Sequence, residues 1–409
     1  MNTLTHKLPN ASLWLVLTLM PVLAIAGGLG IAPAAAIIGL TGWFVLFGQK
    51  EFKRVTMQPW FWCLTALLLW CFITQFWSPY IPKESPSNAT KLVIIILIYC
   101  GIITTFKTLK PEAQETFRRL FMVGGVFAAA LMLVEILSGY SLSLLVDPLK
   151  EGELLLYRQF DSEKNLGRGI LTYAQFMSAL CLMFIIKVKR GFWIALAIIA
   201  ALMAAAILNR VYLPPLVIGL TCFVMGLTWK FPKFGVMAVC FGLIAMILSG
   251  PLIGYLSSLM SDEQLLKIPL SLEHRVRMWA YCWERIAQEP WMGQGFDASR
   301  TYQDTFVERG GTTMVIVSLH PHNAAVQIWL EIGAIGAVLS AATVAAFIKP
   351  ALNFAQTSAR ASALAGTIMA ASLFGFTTIG VWQYWWLGSI FIALAALQLL
   401  PHTAAVTDK

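Results

Sequence analysis

Long apolar runs alternate with short polar breaks along the whole chain. The runs number twelve, at about 11–28, 30–48, 59–77, 91–106, 119–138, 169–186, 191–208, 211–229, 234–255, 323–348, 361–380 and 382–400. Each is close to the ~20 apolar residues that an α-helix needs to cross ~30 Å of hydrocarbon. None has the alternating pattern of a barrel strand, and lipid admits only helices or closed barrels. The expected fold is therefore all-α, a polytopic integral membrane protein of about twelve transmembrane helices. Only Gly27, Gly28 and Gly30 separate the first two runs. The first run lacks a small-residue cleavage site and leads straight into the second, so it reads as a span and not as a removable signal.

The breaks fall into two alternating sets. One carries Lys50, Lys53 and Arg54, then Lys107, Lys110, Arg118 and Arg119, then Lys187, Lys189 and Arg190, then Lys230 and Lys233, then Lys349 and Arg360. The positive-inside rule assigns this set, and with it both termini, to the cytoplasm. The opposite side, the periplasm in a bacterial inner membrane, receives 78–90, 139–168, 209–210, 256–322 and a short turn near 381. Segment 139–168 holds Asp147, Glu151, Glu153, Arg158, Asp161, Glu163, Lys164 and Arg168. Segment 256–322 contains EHRVRMWAYCWERIAQ, in which Met278, Trp279, Cys282, Trp283 and Ile286 recur at helical spacing. That helix is predicted to end at Pro290, before a WMGQG turn. Its apolar stripe suits a helical cap on the membrane face of a single transmembrane domain, 1–409, better than a separate domain.

Composition agrees. The chain is 58% hydrophobic and 12% charged, about half the charge of soluble domains. The net charge of +9 is spread through short loops, so topology accounts for it and no nucleic-acid partner is implied. Six of the seven cysteines lie in apolar runs and Cys282 stands alone in a polar one. Neither a disulfide framework nor a zinc site follows from that spacing.

Candidate chemistry gathers at one place. His320, Pro321, His322 and Asn323 stand at the head of the tenth run, where Asn323 is a helix-start residue. A titratable imidazole is thus set at the mouth of a span. The same face collects Arg210, Arg168, Lys91, Arg275 and Arg277. A cation so close to hydrocarbon needs a partner or a function, and Pro214 and Pro215 just below Arg210 distort its helix. Lys91 and Arg168 read equally well as anchors that snorkel to headgroups. Guanidinium forks pair with phosphate oxygens and keep their charge, which points to a membrane-embedded polyprenyl diphosphate that carries sugars. The span ends lack acidic clusters, so a site without metal or cofactor is expected. His320 reads as a loop histidine, with metal binding by His320, His322 and His274 the lesser alternative. Glu331 is expected to pair inside the bundle, and Gly333 and Gly336 to let the tenth span pack tightly. Trp382, Tyr384, Trp385 and Trp386 form an interfacial belt by default, with stacking on sugar or prenyl as the second reading.

From His322 the chain reads H-N, nine residues, then G-x-x-G at Gly333 to Gly336. This resembles the histidine motif of the O-antigen ligases, inner-membrane enzymes that join O-antigen to lipid A-core. Upstream, R-x-x-x-W (Arg275 to Trp279) and PWMGQG (Pro290 to Gly295) resemble the pattern preceding that motif in the wider ligase and polymerase superfamily. Arg210 stands where that family usually has Ser-Arg or Thr-Arg, although Asn209 precedes it here. The resemblance covers residues 160–380 by motif and the whole chain by span count and loop layout. It implies a GT-C type glycosyltransferase that takes an undecaprenyl-diphosphate-linked glycan as donor and a sugar hydroxyl of lipid A-core as acceptor. Carried onto this chain, it implies His322 and Arg210 as catalytic residues. Arg275, Arg168, Lys91, Arg277, Asn323 and His320 would bind the diphosphate and substrate. A polymerase using the same donor, or a relative that glycosylates protein, are the alternatives within the superfamily. A transporter of the lipid-linked sugar is disfavoured, because the charges cluster at one face and not at the midplane.

Overall fold

The computed structural model describes residues 4–28, 30–48, 58–82, 85–146, 154–210, 213–307, 309 and 311–401. Lys50, Lys53 and Arg54 of the first basic loop, and Asp147, Glu151 and Glu153 of the first long opposite loop, lie outside the described residues. The chain runs α1 (Leu4–Ile25), α2 (Ile31–Gly48), α3 (Pro59–Thr74), α4 (Asn88–Lys107), α5 (Pro111–Leu137), a short α6 (Ser141–Val146) and α7 (Leu155–Lys187). It continues with α8 (Gly191–Leu208), α9 (Leu213–Lys230), α10 (Pro232–Leu248), α11 (Gly250–Ser258), α12 (Asp262–Leu265) and α13 (Leu270–Gln288). A two-stranded hairpin, β1 (Thr305–Val307) and β2 (Thr313–Val315), precedes α14 (Ala324–Phe354), α15 (Ser358–Thr377) and α16 (Tyr384–Ala396).

The protein is a multi-pass bundle of apolar helices. Among the described residues the apolar runs fall on apolar helices, with the run 234–255 divided between α10 and α11, but the count of full spans is lower. Seven helices among the described residues (α4, α5, α7, α8, α9, α14 and α15) are long and apolar enough to cross a membrane, or eight if α10 and α11, bent by 54°, act as one. Among the described residues, the apolar stretches of α1, α2, α3 and α16 are shorter, at Lys7–Leu23, Ile31–Phe47, Pro59–Thr74 and Tyr384–Leu399. Part of the shortfall has a local reason. After α3 and before α16 the chain leaves the helix early, at Gln75 and up to Gln383, and the segment before α16 is used to build the site described below.

Local sequence sets the helix ends. Pro59, Pro111 and Pro232 occupy first-turn positions, where the missing N–H costs nothing. Ser87, Asn323 and Thr357 cap their helices through side-chain oxygens. In α7, 89% of the most apolar stretch is buried, so it is the post around which the others stand. Small residues permit close approach elsewhere: a Cβ on Gly42 of α2 would lie 1.9 Å from the Gly101 carbonyl oxygen of α4.

The predicted amphipathic helix is α13. Its stripe of Met278, Cys282 and Ile286 is buried with Val317, Val326 and Leu330, and it lies against α11 and α14. Arg309, in the turn of the hairpin, fastens that hairpin to the start of α13. Its Nε donates to Glu273 at 2.7 Å, and its other nitrogens reach the carbonyls of Leu265, Leu266 and Ile268. The Arg309 hydrogen bond, with help from Arg277, holds the Glu273 carboxyl below its ordinary range.

The two glycine motifs prove to be two halves of one joint. Gly333 has φ 65° and ψ −169°, so α14 is broken there. The Pro290–Gly295 segment is seated in the break. Gln294 and Gly295 donate to the carbonyls of Leu330 and Glu331 at 2.8 and 2.9 Å, and Ala334 and Ile335 donate to Pro290 and Trp291 at 2.9 and 3.2 Å. Trp70 Nε1 takes up the Ile332 carbonyl at 2.8 Å. Gly333 was expected to let one helix pack on another; what it admits is the backbone of the Pro290–Gly295 turn, and a Cβ there would stand 2.3 Å from the Trp291 oxygen.

Candidate active site

At the end of the bundle where His322 lies, a cavity of about 750 Å³ opens between α7, α13 and the loops that precede α14 and α16. From α7 it receives Lys164, Gly167, Arg168 and Leu171, which share one helix face by their three- and four-residue spacing. From α13 comes Arg275. The segment after the Gly295 turn contributes Phe296, Asp297 and Arg300, and the remaining wall includes Asn88, His320, His322, Gln327, Thr378, Trp382, Gln383, Tyr384 and Trp385.

His322 has a left-handed backbone, φ 55°, which turns the chain into α14. Its Nδ1 lies 2.5 Å from the Thr378 carbonyl oxygen. A carbonyl can only accept, so Nδ1 carries the proton and Nε2 keeps its lone pair. His320 is used differently. Its Nδ1 accepts the backbone N–H of His322 at 3.3 Å, and its Nε2 meets the Gln383 amide at 3.3 Å. Burial, and then the neighbouring His322, Arg300 and Arg168, push the His320 imidazole down to about 3. Burial also lowers His322, against the pull of the Thr378 carbonyl and with help from Arg275, His274 and Arg168. Both rings are therefore neutral near pH 7.

These shifts give a signed expectation for stability. An imidazole whose pKa is depressed in the folded state, below an unfolded value of about 6.5, stabilises the fold above pH 6.5. That contribution is lost progressively as pH falls from 6.5 through the folded value. Thermal unfolding of the solubilised protein should hold steady from pH 8 to 7 and move to lower temperature between pH 6.5 and 5. His320→Gln should flatten that segment; an unchanged slope in the variant would count against the buried neutral ring.

Four cations face the cavity against one carboxylate. Arg275 is half-buried, and among the described residues no carboxylate pairs with it; burial lowers its pKa from the usual value. Arg168 donates to Asn165 Oδ1 at 3.2 Å. Arg300 Nε donates to Asp297 Oδ1 at 3.0 Å, and Asp297 Oδ2 accepts from Asn88 Nδ2 at 2.6 Å. Arg300 and Lys164 were not singled out as site residues from the sequence. Lys164 was within reach of a pattern, being one turn before Arg168 on the same helix face. Arg300 had no such signal.

The structure brings His322, His320, Arg275 and Arg168 to one cavity, and leaves the other expected site residues off its wall. Arg277 follows Arg275 by two positions, about 200° around a helix, so the two cannot face the same way. Arg277 instead bonds Glu273 at 3.1 Å and Asp262 at 3.0 Å. Asn323 Oδ1 accepts from Val326 N at 3.1 Å and caps α14. Lys91 lies in the first turn of α4, off the cavity wall. Arg210 is exposed, with φ 55°. Its neighbour Asn209 donates to the Glu163 carbonyl at 2.9 Å and accepts from Tyr140 at 3.1 Å. This fastens the end of α8 to α7, next to Lys164. Of the aromatic group, Trp382, Tyr384 and Trp385 are on the cavity wall and Trp386 is not, although Trp385 and Trp386 are both buried. Glu331 is fully buried and pairs inside the bundle, with Ser299, Gln327, Trp382 and the Asp297 backbone.

Residues 165–341 match the family model described as O-antigen ligase. A Rickettsia bellii protein named "Putative polysaccharide ligase" is 34% identical over 176 residues, which is 42% of this chain and 43% of that protein. Proteins of the same description from Rickettsia felis and Rickettsia conorii are each 28% identical over 151 residues, 36% of this chain and 37% and 36% of theirs. The similarity thus spans less than half the length of these curated relatives. The matched stretch contains Arg168, Arg275, Arg300, both histidines and the break at Gly333. Residues 165–341 thus resemble the O-antigen ligase family.

Proposed function

We propose that the protein transfers polysaccharide from undecaprenyl diphosphate to a sugar hydroxyl of lipid A-core, at the periplasmic face of a bacterial inner membrane. The observation that carries this reading is the cavity itself. Lys164, Arg168, Arg275 and Arg300 surround a space large enough for a diphosphate and a sugar, beside a neutral histidine whose Nε2 can take a proton. The acceptor oxygen attacks the anomeric carbon, the bond from that carbon to the diphosphate oxygen breaks, and the electron pair leaves with the diphosphate. The acceptor's proton goes to His322 Nε2. Arg168, Arg275 and Arg300 stabilise the charge that grows on the departing diphosphate. A single displacement inverts the anomeric centre and calls for neither metal nor ATP.

Arg210 is kept as a contact for the outer oxygens of the diphosphate, on the strength of its attachment beside Lys164. Lys91 serves as a headgroup anchor, and Arg277, Asn323 and His320 support the site without touching substrate. Trp382, Tyr384 and Trp385 supply stacking surfaces for sugar or prenyl. The proposal includes twelve membrane crossings of GT-C type with both termini in the cytoplasm. The cytoplasmic side is supported by the basic residues at the far end of the bundle, where Arg118 and Arg360 hold the carbonyls of Leu399 and Leu400.

The deciding experiment supplies lipid-linked O-antigen to the purified protein with either lipid A-core or a second lipid-linked unit. Extension of lipid A-core supports the ligase, and extension of the second unit alone replaces it with a polymerase. In the same assay, Arg275→Ala should lower kcat/KM by about 10²–10³-fold, the scale for losing one donor aimed at developing charge. Arg275→Lys should recover only part of this, because one ammonium cannot reproduce the guanidinium fork. Full activity in Arg275→Lys would show that point charge suffices.

A further inference from the structure

Three side chains at the head of α14 reach across to one short loop between α15 and α16. His322 Nδ1 donates to the Thr378 carbonyl at 2.5 Å, Gln327 Oε1 accepts from Val381 N at 2.9 Å, and Glu331 Oε2 accepts from Trp382 Nε1 at 2.6 Å. The last two bonds are coupled, because Gln327 Nε2 donates to Glu331 Oε1 at 3.1 Å. That contact fixes which end of the amide faces Val381. Glu331 also receives Ser299 Oγ at 2.6 Å and Asp297 N at 3.1 Å. Three N–H donors and the Ser299 hydroxyl meet its two oxygens. It is fully buried, and among the described residues no cation bonds to it. A carboxylate is costly to bury in this way, and an amide or apolar residue of similar size would fill the space.

Free histidine favours the proton on Nε2, the reverse of what a base acting through Nε2 requires. Only the Thr378 carbonyl opposes that preference here, and a backbone carbonyl is as well placed as the loop that carries it. We propose that Glu331 and Gln327 are positioning residues for His322. They hold residues 378–382 at the register where the Thr378 carbonyl keeps the proton on Nδ1 and leaves Nε2 open. The inference rests on the reading of His322 as the base, but its structural half can be measured without turnover.

The test uses the full-length protein in lipid nanodiscs, labelled with ¹⁵N-histidine. Five histidines contribute, and the His322 signals are those lost in His322→Gln. Wild type is expected to show His322 protonated at Nδ1 with an unprotonated Nε2. In Gln327→Met and Glu331→Gln the Nε2–H form should appear, and kcat should fall by about 10–100-fold, within the range for losing a correctly protonated base. The donor KM should change little. Should Glu331→Gln fail to accumulate, Trp382→Phe removes the same bond from its other side and is read for tautomer only. A wild-type tautomer in the variants overturns the proposal whatever their activity, because a merely structural network would leave the ring unchanged. A shifted tautomer with unaltered kcat supports the positioning and instead removes His322 from the role of base.

Discussion

His322→Asn should lower transfer by about 10²–10⁴-fold, the usual scale of general base catalysis, while the protein still inserts and folds. Asparagine is the informative replacement because residue 322 has a left-handed backbone, φ 55°, a conformation that asparagine tolerates and alanine does not. His322→Ala should lose as much activity but also some stability, so the pair separates chemistry from backbone strain. Among the described residues the side chain bonds only the Thr378 carbonyl, and its loss leaves the Asn323 cap of α14 in place. Transfer would be measured with purified donor and acceptor, alongside thermal unfolding of each variant. Wild-type turnover in a well-folded His322→Asn protein would remove the histidine from the reaction. Burial lowers the His322 pKa, so the acid limb of kcat/KM should lie below the ordinary value of about 6.5. A limb at or above 6.5 would point to a different group.

Gly333→Ala should prevent the protein from accumulating. The φ of 65° with ψ of −169° belongs to a region that is essentially glycine-only, and occupying it with another residue costs about 1–3 kcal/mol. Space adds a second obstacle. The new methyl would stand 2.3 Å from the Trp291 oxygen, which accepts from Ile335 N across the break, and 2.6 Å from Gly293 N, which donates to the Glu289 carbonyl. Gly336→Ala is the comparison, since the atoms nearest its methyl belong to the Ile332 side chain and not to a backbone, and it carries no positive φ. Expression and thermal stability of the two variants decide the matter. Equal stability would mean that the joint between residues 290–295 and α14 is softer than its geometry implies.

The contrast between these two residues shows what kind of information the chain carries openly. Asn323 could be read as a cap because the bond it makes spans three residues, and local bonds leave local patterns. The pairing of Gly333 with the Pro290–Gly295 turn could not. Both motifs were visible, but nothing in either says that one fills the gap in the other, across some forty residues of chain. Arg275 and Arg277 lie between these cases. Their different fates follow from 100° per residue on a helix, so helical periodicity alone could have divided them. Arg300 carried no signal, because it reaches the cavity only through a loop that the broken helix holds in place.

Hydropathy by itself determined that this is a bundle of apolar helices in a membrane. In lipid every backbone polar group must be satisfied within its own segment, so a long apolar run has one outcome. The histidine motif determined where one imidazole stands, because a capped helix start is decided within a few residues. The number of full-length spans was left to the tertiary structure, which ends α3 at Thr74 against the 293–296 segment and delays α16 so that the residues before it line the site. Which cations share a cavity with His322, and which ring nitrogen carries its proton, were left to it as well. Those properties depend on Thr378, Arg300, Glu331 and the 290–295 segment meeting at one end of the bundle. Such meetings arise from packing between distant segments, and packing leaves no period in the sequence.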